Sequence, residues 1–189
     1  YNGNGQISEK LTQIIKENPN SITIIAAGTT YYAGLIGKYW IESLSKIPVN
    51  VEIASEFRYR KPFIDPKGLV ITISQSGESI DSLMAMRHAK TLGLDTYGIV
   101  NVADSTIARE ADIILLTRAG PEIGVASTKA FTAQLVVLIC LAIALGRLNG
   151  YLDASRENYL HQKLLKIPGA VGKSMKLFDP IRPIAHQLK

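Results

Sequence analysis

Three stretches gather small hydroxyl residues and glycine where a chain would turn. They are AAGTTYYAG, with Gly28, Thr29 and Thr30; SQSGES, with Ser74, Gln75, Ser76 and Ser79 around Gly77; and PEIGVASTKAF, where Val125, Ala126 and Ser127 follow Gly124. A helix N-terminus presents unpaired N–H groups and the positive end of its dipole. Serine and threonine add neutral donors, and glycine lets the backbone approach a ligand closely. Such parts make a phosphate cradle without lysine. Each stretch also has a simpler use, because serine and threonine are favoured N-caps and glycine is ordinary turn chemistry. One loop alone would favour the caps; the three together favour an anion. A nucleotide is disfavoured, since no G-x-x-x-x-G-K-S/T occurs and no G-x-G-x-x-G follows a strand.

The surrounding pattern alternates strands and helices. Ser21 to Gly28, Val49 to Ser55, Gly68 to Ser74, DTYGIVNV and Asp112 to Thr117 read as short apolar strands. Helical spacing follows the first, in TTYYAGLIGKYWIESLSK, and the third, in SIDSLMAMRHAKTLG, which Gly93 closes. A short helix is predicted over STIAREA. A long helix is predicted from about Ser127 to Arg147, apolar almost all round and so expected to be fully buried. Strands separated by helices imply a parallel sheet covered on both faces. The predicted fold is α/β, a doubly wound five-stranded parallel sheet flanked by helices. Ligands bind such sheets beyond the carboxyl ends of the strands, which is where the three hydroxyl stretches fall. Residues 21–150 are expected to form this domain, with 1–20 as a lead-in. Residues 151–189 read as a helical linker with a Pro-Gly break, and the ending suggests a piece of something longer.

Composition sets further bounds. The net charge is +5, yet residues 1–150 carry 14 Lys+Arg against 13 Asp+Glu, while 151–189 carry 7 against 3. The excess lies in the tail with no aromatic-interleaved basic stripe, which argues against nucleic acid. The run Ala133 to Leu145 is shorter than the roughly 20 residues a membrane span needs, so no membrane partner is expected. No secretory signal opens the chain, and the single Cys140 excludes an intramolecular disulfide, both fitting the cytoplasm. His88, His161 and His186 lack metal-ligand spacing, and no cofactor is called for. Glu78 and Glu122 are the tempting acid/base residues, and Lys129 could neutralise substrate charge or serve the helix start.

SQSGES, AAGTTYYAG, EIASEFRYR and EIGVASTKAFTAQL, in this order, resemble sugar isomerase (SIS) domains, from about Ile24 to Gly150. EIASEFRYR and GVASTKAF point to the glutamine-dependent aminotransferase/isomerases within that family, which follow a glutaminase domain with two SIS domains and convert fructose 6-phosphate to glucosamine 6-phosphate. The resemblance is to the first SIS domain, with a flavodoxin-like sandwich. It implies that Thr30, Ser74, Gln75, Ser76 and Ser79 hold the phosphate, while Thr29, Val125, Ala126 and Ser127 hold the sugar end. It also implies a homodimer. Ala27 and Thr30 stand where the family commonly has cysteine and serine, and Ser79 where it has threonine; Thr30 and Ser79 keep the donor. The family's isomerase base, ring-opening histidine and amine-bearing lysine lie in the second SIS domain and C-terminal tail. The family places its base elsewhere than Glu78 or Glu122, so this piece is expected to bind and not to catalyse. Two alternatives are a stand-alone phosphosugar sensor and another SIS aldose–ketose phosphate isomerase.

Overall fold

The computed structural model describes residues 19–61, 63–123 and 127–188. Five strands form one sheet: β1 (Ile22–Ala26), β2 (Val49–Ile53), β3 (Leu69–Ser74), β4 (Asp95–Val100) and β5 (Ile113–Leu116). All pairs are parallel and the order is β2-β1-β3-β4-β5. Every residue of β1 and β3 is buried, as central strands covered on both faces require. The expected doubly wound α/β fold is the one observed.

Helices α1 (Thr29–Ser45), α2 (Ala54–Tyr59), α3 (Ile80–Thr91), α4 (Thr106–Glu110) and α5 (Lys129–Leu148) flank the sheet. Alternation along the strands divides the core. Ile22, Ile24, Leu69, Ile71, Ile73, Tyr97 and Ile99 pack with Ile41 of α1 and Leu138 and Leu145 of α5. Ile25 and Val70 face the other way, against Phe57 of α2 and Ala85 and Ala89 of α3. α1 therefore covers one face and α3 the other, and the chain changes face between the neighbouring strands β1 and β3. As expected, Gly93 ends α3: its φ is +78°, its N–H donates to Lys90, and the N–H of Leu94 reaches back to Ala89.

Three expectations need correction. The strand expected through Ser55 stops at Ile53, and α2 follows. The reason is the change of period there: Ala54 and Phe57, three apart, are both fully buried. The long helix is not buried all round. Leu141 to Gly146 are buried without exception, but Thr132 and Val136 are exposed, the latter by 47%. At 20 residues α5 is long and apolar enough to cross a membrane by length and composition alone, more than its apolar run indicates, but its C-terminal half is core. Finally, Pro168 does not break the tail.

That tail, from Asp153, is a compact unit of its own, distinct from the unit ending at Leu152. Its helices are α6 (Ala154–Met175), which runs through Pro168, and α7 (Phe178–Gln187). Proline fixes φ near the helical value, and its missing N–H deprives only one carbonyl, on a helix with no buried residue. The Asp153 side chain accepts from the Arg156 amide and caps α6. Most of the expected lead-in, 1–18, lies outside the described residues.

Candidate functional site

In an open parallel sheet the crevice for ligands forms where the strand order reverses, at the carboxyl edge. Here that point lies between β1 and β3. Ile25 pairs with Thr72, so two residues further on the Ala27–Thr30 turn stands beside the Ser74–Ser79 loop. Gly28 makes the first turn at φ +58°, ψ −134°, a region only glycine occupies readily. The third stretch joins them through helix packing. A Cβ on Gly37 of α1 would meet Leu138 of α5, and one on Gly146 of α5 would meet the Leu44 carbonyl of α1. The two helices thus run in parallel with matched turns, and Ser127, just before α5, comes to the edge where Thr29 and Thr30 open α1.

The hydroxyls in this crevice are not equivalent. Thr30 Oγ1 donates to the Ala27 carbonyl at 2.7 Å and accepts from the Ala27 amide at 3.3 Å, so its proton is committed to the turn. Ser74 Oγ, buried, accepts from the Gly77 amide at 3.0 Å, and Ser76 Oγ, exposed, accepts from the Glu78 amide at 3.2 Å. Accepting a bond leaves the proton of each serine free to donate elsewhere. Ser79 occupies the N-cap of α3 but makes no side-chain cap bond. A serine placed there normally satisfies the amide of the second or third helical residue. The α3 N-terminus is thus left open beside three hydroxyl donors. Gln75 joins the loop to β4, its carbonyl accepting from the Asn101 amide at 3.1 Å.

The start of α5 is the opposite case. Glu122 accepts from the Thr128 amide at 2.9 Å and from Ser127 Oγ at 3.0 Å, with a longer contact of 3.5 Å from the Ala130 amide. The Thr128 amide above all, and then the Ser127 hydroxyl, hold its carboxyl below the usual carboxylate range, against some desolvation. A carboxylate already occupies this helix start, so it suits a neutral, hydroxyl-rich group and repels a second anion. A carboxyl held ionised by the amides of the helix that follows it is a structural acceptor, not a base poised near neutral pH. Lys129 Nζ donates to the Pro121 carbonyl, a tie across the same turn.

Glu78, one of the two tempting acid/base residues, serves the helix after the one it precedes. Its Oε1 accepts from the Thr106 amide of α4 at 2.7 Å, and the Thr106 bonds hold its carboxyl below the ordinary value. The structure thus brings Gly28, Thr29, Thr30, Ser74, Gln75, Ser76, Ser79 and Ser127 to one edge. Val125 and Ala126 lie outside the described residues. Sequence reasoning missed Asn101, whose bonds tie the loops together, and Ser105, which caps α4. The only signal for Asn101 was position, immediately beyond β4.

The SIS domain model matches residues 14–144, which is more than half of the chain. Glutamine–fructose-6-phosphate aminotransferase (isomerizing) of Xylella fastidiosa is 54% identical over 157 residues, which are 82% of this chain and 26% of that protein. The enzyme of the same name from Neisseria meningitidis is 48% identical over 179 residues, 94% of this chain and 29% of that one. A solved structure, the C-terminal domain of glucosamine-fructose-6-phosphate aminotransferase from Francisella tularensis, superimposes with a TM-score of 0.90 at 40% identity. It covers 96% of this chain and 51% of that one. The chain therefore spans about a quarter of the length of the curated relatives it matches. Fold, matched turns and family model agree: this chain belongs to the SIS domain family.

Proposed function

We propose that this chain is the phosphosugar-binding first SIS domain of a glutamine–fructose-6-phosphate aminotransferase (isomerising), and that it binds fructose 6-phosphate and glucosamine 6-phosphate. The observation that carries this reading is the uncapped α3 N-terminus beside Ser74, Ser76 and Ser79, whose protons are free. The phosphate sits there, with Gln75 alongside and Thr30 joining once it gives up its bond to Ala27. The sugar end lies toward Thr29, Val125, Ala126 and Ser127, where the Glu122 carboxylate accepts from neutral groups. The relatives' names support the choice of sugar phosphate.

Glu78 and Glu122, the two carboxylates at this edge, are engaged by helix amides, and on this reading the domain holds substrate and does not transform it alone. Catalysis belongs to a longer protein that adds a glutaminase domain and a second SIS domain, with residues 151–189 as the helical link. The exposed Val136 of α5, with Tyr32 and Tyr39 exposed on α1, suits pairing of two copies into a homodimer. Cytoplasmic location, without nucleic-acid or membrane partners, completes the reading.

Calorimetric titration with fructose 6-phosphate and, separately, with fructose tests it. Binding of the phosphorylated sugar alone is expected. Equal response to both would overturn the phosphate site.

A further inference from the structure

The phosphate loop and the β5–α5 loop leave strands that are not neighbours: β4 lies between β3 and β5. Some element has to fix their spacing if one ligand is to touch both. Asn101, the first residue after β4, bonds in both directions. Its amide donates at 3.1 Å to the carbonyl of Gln75, the second residue of SQSGES. Its side chain turns the other way. Oδ1 accepts from Thr117 Oγ1 at 3.1 Å and from the Ala119 amide at 2.8 Å, while Nδ2 donates to the Gly120 carbonyl at 2.7 Å.

The turn it grips is strained. Arg118 has φ +51°, a left-handed conformation that costs a non-glycine residue free energy, and Gly120 follows at +70°. Such a conformation persists only where surrounding bonds over-determine it. Asn101 supplies three of those bonds from a single side chain. Beyond Gly120 the grip continues, because Lys129 holds the Pro121 carbonyl and Glu122 holds Ser127 and the Thr128 amide. A hydrogen-bonded bracket thus runs from Gln75 through Asn101 to the start of α5.

We propose that Asn101 is a positioning residue that sets the distance between the phosphate loop and the sugar-end loop. It touches neither end of the ligand in this assignment and acts through the two loops. The proposal rests on the two-ended binding reading above. It predicts a split that general destabilisation would not produce: a ligand spanning both loops depends on Asn101, and one occupying the phosphate loop alone does not.

The test uses the whole 189-residue chain, with fructose 6-phosphate and inorganic phosphate as probes. Asn101→Ala is expected to weaken fructose 6-phosphate by about tenfold while inorganic phosphate changes by less than about twofold, in line with couplings carried by packed networks. Asn101→Asp, which keeps the two accepted bonds and sets a carboxylate against the Gly120 carbonyl, should fall between, and it serves if the alanine variant folds poorly. Equal loss of both probes, or loss of neither, overturns the proposal. Wild-type protein that binds neither probe would refute the binding reading, and a ligand-free measurement then decides for Asn101. Hydrogen exchange at the Thr128 amide, which Asn101 does not touch, should be about tenfold faster in Asn101→Ala. Unchanged exchange there overturns the bracket.

Discussion

The loop that leads into α3 also bonds the first amides of α4, yet the two N-termini are finished in opposite ways. Ser105 caps α4, its Oγ accepting from the Ala108 amide, and Glu78 takes the Thr106 amide. Gly77 adds a third bond, its carbonyl accepting from Ile107. α3 begins at a serine too, but Ser79 makes no cap bond. Residue type is the same and the use differs. A helix of five residues is closed, by its own Ser105 and by the loop that leads into α3; one of twelve is left open where the strand order reverses. Because orphan amides need a partner, the open end is the one that suits an anion.

The largest effect on this contrast is expected from Gly77→Ala. Gly77 has φ +68°, and a Cβ there would lie 2.0 Å from Ser105 Oγ and 2.5 Å from Ser105 Cβ. Strain and overlap together should cost about 3 kcal/mol, read by chemical denaturation, and should disturb both helix starts at once. Ser105→Ala comes next. Loss of the α4 cap should cost about 1 kcal/mol while fructose 6-phosphate binding, followed by calorimetry, stays as in the wild type.

A pH series on Glu78→Gln probes the same closed end. The folded carboxyl titrates below its ordinary value of 4.5 because the Thr106 amide favours its ionised form. Its contribution is therefore present above that ordinary value and disappears as pH falls through the lower, folded one. The difference in Tm between wild type and Glu78→Gln should shrink over that acidic window. A difference that grows there would reverse the assignment. Ser79→Ala should give the smallest stability change, within about 0.5 kcal/mol, together with clearly weakened phosphosugar binding. If instead it costs as much as Ser105→Ala, Ser79 is a cap after all.

Much of this was legible before the fold was in hand, and the failures have physical causes. Short β-branched runs such as Leu69–Ser74 announce central strands, and glycines such as Gly93 announce helix ends. The α2 helix was hidden because Ile53, Ala54 and Ser55 continue a strand-like composition, and only the burial of Ala54 with Phe57 reveals the change of period. The exposed side of α5 was invisible because Val136 and Leu138 are equally apolar, although one is exposed and the other buried. At the site, residue types located the loops but could not say which hydroxyls are spent. Thr30 and Ser74 read alike in sequence. In the fold one proton is committed to Ala27 and the other is free. Asn101 gave no pattern at all, since its partners are 16 to 26 residues away in either direction.

Backbone amide shifts recorded during titration with fructose 6-phosphate, with fructose as the control, test the open end of α3 most directly. The amides of Ile80, Asp81 and Ser82 should move with the phosphorylated sugar and not with fructose, while those of Thr106, Ile107 and Ala108 stay in place. Movement at α4 with none at α3, or equal movement with fructose, would contradict a phosphate site at the α3 N-terminus.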